Sequence, residues 1–162
     1  MTYRSLALAI ALLPLASGCD QREAQPNPAA TIPAAPSPPP LDVGALEERT
    51  DPNRVLQYYA AALGSGDWQA AARAWGADSG VTGATLQAEY GGKGSIILQP
   101  GTGQNDGACG SLYYTAPVAL RLQRANEERT GTITLRQVNN VEGATPDQVR
   151  WHIESSTVGP KQ

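Results

Sequence analysis

The chain has 162 residues, with 12 Lys or Arg against 15 Asp or Glu and a formal net charge of −3. This balance argues against a nucleic-acid partner, since basic side chains on phosphates carry such binding. Two cysteines and one histidine, with no cluster of His, Cys or acids at ligand spacing, give no reason to expect a metal or another cofactor.

The amino terminus carries Arg4, an apolar run from Leu6 to Leu15 broken only by Pro14, and then small residues. A run this short cannot cross a bilayer, which takes roughly 20 residues. A charged start, a short apolar centre and a small-residue site describe a secretory signal. The segment Ala16-Ser17-Gly18-Cys19 resembles the lipobox of bacterial lipoproteins. That resemblance implies a signal peptide over residues 1–18, cleavage before Cys19, and lipid on the Cys19 sulfur and the new amino terminus. It also implies a membrane as partner through Cys19, and a domain lipid-anchored in the cell envelope and facing the periplasm. Asp20 resembles the inner-membrane retention signal of enteric bacteria; the choice of membrane stays open. Loss of the leader removes Arg4 and no acid, leaving 11 basic and 15 acidic side chains.

Residues 19–49 read as a disordered tether. Pro26, Pro28, Pro33, Pro36, Pro38, Pro39 and Pro40 lie among Ala, Gln, Asn and Ser. Proline removes donors and fixes φ, so residues 20–40 favour extended polyproline geometry, and some twenty residues at about 3.1 Å each reach roughly 60 Å. Leu41 to Arg49 has the composition for a helical turn or two.

The folded part is expected over residues 50–158, followed by a frayed tail over 159–162. Asp51 and Pro52 read as N-cap and first position of a helix in which Val55, Tyr59, Ala62 and Leu63 recur at helical spacing. Gly64-Ser65-Gly66 ends it. Asp67 caps a second helix running to about Trp75, and Thr82 caps a third through Tyr90. The period then changes. Lys93–Gln99 reads as a strand and residues 100–107 as a glycine-rich connection. From Cys109 to Gln123, Leu112, Tyr114, Ala116, Val118, Leu120 and Leu122 alternate with polar or small residues, so one face meets a core. Pro117 cannot donate to a ladder and points to a bulge or an edge. Thr130–Val138 is the returning strand, and Val149, Trp151 and Ile153 alternate in a last one. Helices followed by hairpin-joined strands make an α+β domain: helices packed on a curved, antiparallel, four-stranded sheet.

Val55 to Leu63 followed by Gly66-Asp67-Trp68, a third helix and a long meander resemble the NTF2-like, cystatin-related superfamily. The resemblance implies a cone-shaped sheet closed by helices around a cavity. Mapped onto this chain, the candidate lining residues are Tyr59, Trp75, Tyr90, Tyr113 and Trp151. The superfamily holds isomerases, dehydratases and cyclases as well as binding modules, and fold does not fix function.

An isomerase-type site needs a buried carboxylate base and an enolate donor. Asp78, Glu89 and Glu154 are the acids near suitable elements and Tyr113 is a conceivable donor, but they form no recognisable catalytic arrangement. Asp78 reads as a loop residue, Glu89 as a solvated helix residue and Glu154 as an exposed strand residue. His152, between Arg150 and Glu154 on a polar strand face, reads as a surface residue. With Cys19 lipidated, Cys109 has no disulfide partner in the chain and reads as a buried thiol, since no neighbour in Gly107-Ala108-Cys109-Gly110 would stabilise a thiolate. The sequence therefore points to an envelope lipoprotein with a non-catalytic domain that binds a small apolar ligand or an envelope protein. The alternatives are a small cone-cavity enzyme and a homodimer formed through the sheet face.

Overall fold

The computed structural model describes residues 40–139 and 142–160. The leader, Cys19, the tether as far as residue 39, and residues 161–162 of the tail lie outside these. Among the described residues no helix is long and apolar enough to cross a membrane.

Three helices open the fold: α1 (Pro52–Ser65), α2 (Trp68–Ala72) and α3 (Gly83–Tyr90). Each begins where a short polar side chain satisfies an orphan amide. The Asp51 carboxylate accepts from Asn53 N–H at 2.9 Å, Asp67 from Ala70 N–H at 2.9 Å, and Thr82 from Thr85 N–H at 3.2 Å. Gly66 ends α1 with φ 72°, a left-handed conformation that favours glycine. α2 stops earlier than its apolar spacing suggests. Trp75, expected near the end of that helix, lies in an extended segment instead.

Five strands follow: β1 (Ile96–Pro100), β2 (Gln104–Ala108), β3 (Ser111–Leu122), β4 (Glu127–Val138) and β5 (His152–Ser156). They form one antiparallel sheet in which β3 pairs with β4 along its whole length and β4 pairs with β5. β1 and β2 both pair with β3, covering its two halves in turn. The domain is thus α+β, as expected, but its sheet has five strands rather than four. The additional strand, β2, falls where a glycine-rich connection was expected.

The break between β1 and β2 explains Pro117. A strand residue's N–H and C=O point to the same side, and Gly101 N–H donates to Pro117 C=O at 2.8 Å. The missing Pro117 donor therefore faces the interruption, while β3 itself stays in regular register. At Gly103 a Cβ would collide with the Tyr114 ring and the Thr115 carbonyl, so only glycine lets the chain pass there.

The core lies between the helices and one face of the sheet. Val55, Leu56, Tyr59, Ala62 and Leu63 of α1 and Leu86 and Tyr90 of α3 meet Tyr114, Ala116, Val118, Leu120, Leu122, Ile133, Leu135 and Ile153. Two boundaries differ from expectation. Ala45 and Leu46, in a short 3-10 helix over Val43–Glu47, are buried in the core, so the folded part begins before residue 50. Gly159 and Pro160 are buried rather than frayed, and Val158 C=O accepts from Arg129 Nη1 at 3.1 Å. Leu112, expected on the core face, is exposed near the strand's end, where Ser111 is buried instead.

Candidate functional site

The segment after α2 builds one side of the site. Gly76 N–H donates to Ile153 C=O at 3.0 Å and Ile153 N–H donates to Ala74 C=O at 2.8 Å. Trp75 therefore pairs with Ile153 as a parallel rung on the outer edge of β5, and the Trp75 side chain turns into the core. A second 3-10 helix, Ala77–Ser79, carries Asp78 past the same edge. On the other side, Trp151 N–H donates to Glu48 C=O at 2.8 Å, tying the approach to β5 to the first 3-10 helix.

Between these walls is a crevice of about 270 Å³. Its apolar surface comes from Leu46, Trp75, Ala77, Trp151 and Ile153, and its charges from Arg73, Arg136, Arg150, Asp78, Asp147 and Glu154, with His152 among them. The volume is just under the usual range for a drug-sized ligand, which suits a smaller one.

His152 is half-buried rather than on the surface. Its Nδ1 lies 3.2 Å from the Arg150 carbonyl oxygen. A carbonyl only accepts, so Nδ1 carries the proton and Nε2 of the neutral ring keeps its lone pair. Burial is the main cause that lowers the imidazole pKa below its ordinary 6.5; the Arg136 and Arg150 charges add to it, and the carbonyl bond and Glu154 oppose it. Space for the ring exists because residue 76 is glycine: a Cβ there would lie 2.5 Å from His152 Cδ2 and 3.0 Å from Nε2.

Two of the three arginines are already engaged. Arg150 pairs with Glu47 at 3.0 Å and Asp147 at 3.2 Å. Arg136 reaches Glu154 at 3.6 Å, donates to Ser111 Oγ at 3.1 and 3.2 Å, and lies 6.0 Å from the centre of the Tyr113 ring. Among the described residues, Arg73 and Asp78 have no ion-pair partner within 4.0 Å.

The five aromatic residues expected to line one cavity divide into three groups. Tyr59 and Tyr90, each 1 % exposed, are packed in the core, where Tyr59 meets Trp75 edge to face with ring centres 5.9 Å apart. Burial raises both phenol pKa values. Trp75 and Trp151 line the crevice, and each has a buried indole N–H without a hydrogen-bond acceptor of good geometry among the described residues. Tyr113, one residue before core-facing Tyr114, stands on the opposite sheet face over Arg136.

Of the three acids, Asp78 and Glu154 line the crevice. Glu89 is half-buried rather than solvated, bound to Arg129 at 2.7 Å and Lys93 at 3.6 Å. Its carboxyl pKa is lowered chiefly by the Arg129 hydrogen bond. Cys109 is exposed, not buried. It sits with φ 49° beside Gly110 at φ 76° in the β2–β3 turn. Among the described residues no three His, Cys, Asp or Glu side chains are grouped to hold a metal.

No protein-family model matches the chain, and no curated protein matches it.

Proposed function

We propose that this chain is a lipid-anchored lipoprotein of the bacterial cell envelope. Its folded domain, NTF2-like in plan, binds a small ligand without transforming it. Cys19 at the end of Ala16-Ser17-Gly18 supports the anchor, and the proline-rich stretch after it supports a spacer. The NTF2-like plan rests on the order of three capped helices followed by an antiparallel meander.

The observation that carries the binding reading is the crevice beside β5, where two tryptophans lie among three guanidinium groups. Concave sites with apolar walls and a few convergent polar groups are where small ligands bind. The proposed ligand therefore lies beside β5 and not between the helices and the sheet, a space that Tyr59, Trp75 and Tyr90 fill. The non-catalytic reading is supported by the surroundings of His152: among the described residues no hydroxyl or thiol hydrogen-bonds its ring to serve as an activated nucleophile.

Labelled palmitate fed to bacteria expressing the full chain tests the anchor. Label on wild type and none on Cys19→Ala is expected, and label on the variant overturns the reading. Native mass spectrometry of the detergent-released protein tests the site. A small-molecule adduct on wild type that is absent from Ala77→Trp, whose indole would occupy the crevice, is expected. An adduct retained by that variant places the ligand elsewhere.

A further inference from the structure

The charges of the crevice specify what it would hold. Three guanidinium groups and three carboxylates line it, and its histidine is held towards the neutral form by burial, so the lining has no large excess of either sign. A monovalent ion entering it would leave one charge uncompensated. The ion pairs then sort the lining further. Arg150 is held by Asp147 and Glu47, and Arg136 by Glu154 and Ser111. What remains is one group of each sign, Arg73 and Asp78, both on the wall that follows α2 and both without an ion-pair or side-chain hydrogen-bond partner among the described residues.

From this residual pair we infer that the crevice binds a small zwitterion of amino-acid size. The ligand's carboxylate meets the Arg73 guanidinium and its ammonium meets the Asp78 carboxylate. Its apolar part lies towards Leu46, Trp75 and Trp151. A guanidinium is suited to a carboxylate because its N–H groups can bond both oxygens together. This inference rests on the proposed use of the crevice as a ligand site and adds the class of ligand.

The test uses the full-length, isotope-labelled protein in detergent and three probes of one carbon skeleton: L-leucine, isocaproate, which lacks the ammonium, and isoamylamine, which lacks the carboxylate. The indole N–H signals of Trp75 and Trp151 report binding. Leucine is expected to bind about tenfold or more tightly than either analogue, as loss of one charge-assisted bond predicts. Arg73→Gln and Asp78→Asn should each remove that advantage; both residues are exposed, so neither change threatens the fold. Isocaproate or isoamylamine binding as tightly as leucine overturns the zwitterion assignment while leaving the crevice a binding site. So do leucine affinities unchanged in both variants. Indole signals unmoved by all three probes overturn the assignment together with the reading on which it rests.

Discussion

The Tyr114 hydroxyl donates to Asn53 Oδ1 at 2.7 Å, joining the central strand to the first turn of α1 across 61 residues of sequence. The same oxygen accepts from Gly103 N–H at 2.9 Å, so one buried phenol fixes the start of a helix and the break between β1 and β2. Tyr114→Phe keeps the ring and removes both bonds. We expect it to lower stability by about 1–2 kcal/mol, at about 1 kcal/mol per hydrogen bond. Urea unfolding checks this; a midpoint matching wild type would mean that water replaces both partners without cost.

Gly76→Ala places a methyl group where His152 Cδ2 and Nε2 now lie. Either the imidazole turns out of the crevice or the rung between Trp75 and Ile153 opens. A loss of about 1–3 kcal/mol is expected, the usual cost of overpacking. The His152 ring resonances should shift while those of core Leu120 stay put. Unchanged His152 signals would contradict the close approach.

Stability should depend on pH through His152. Folding lowers its pKa below 6.5, so the unfolded chain takes up this proton first as pH falls. The contribution is complete above 6.5, is lost progressively below it, and levels off once the folded ring is protonated as well. His152→Gln removes this slope. Parallel wild-type and variant stability curves across about pH 5 to 7 would show that His152 is not the titrating group.

A second dependence lies at lower pH. Glu48 Oε1 accepts from Thr50 N–H at 2.8 Å, Thr50 Oγ1 at 2.7 Å, Arg49 N–H at 2.9 Å and Asp51 N–H at 3.2 Å, and Oε2 meets Arg54 at 2.6 Å. These bonds, those from Thr50 first, hold its carboxyl far below the ordinary 4.5. The stabilisation is present above 4.5 and is lost as pH falls through the lowered value. Glu48→Gln should therefore be less stable than wild type at neutral pH and converge on it in acid. A constant difference at every pH would remove the charge from the explanation.

Cys109 should react with a maleimide in the native protein, because its side chain is exposed in a turn. Labelling that waits for denaturant would place the thiol inside.

The helices were legible because their signals are local. Asp51, Asp67 and Thr82 each announce a cap within three residues, and the Val55–Leu63 spacing announces the buried face. β2 left no such trace. Gln104 to Ala108 is exposed at every position and joins the sheet through its backbone, so it has no hydrophobic period to detect. Trp75 misled for the opposite reason. Its spacing from Ala71 and Ala72 fits a helix, but the edge of β5 offers its backbone a partner that sequence cannot reveal. The crevice was hidden because its residues come from four separate stretches of chain around Leu46, Arg73, Arg136 and His152. Of the five aromatics proposed to share a cavity, Tyr113 could have been set apart by alternation alone, because it lies one position from core-facing Tyr114.

The rung on Ile153 also bears on how copies of this protein meet. An open strand edge is a template for another chain's amides. At Ile153 the outward N–H and C=O are already taken by Ala74 and Gly76 of the same molecule. Neighbouring copies that collide there find a finished border, so crowding on a surface would not by itself zip their sheets together at that point.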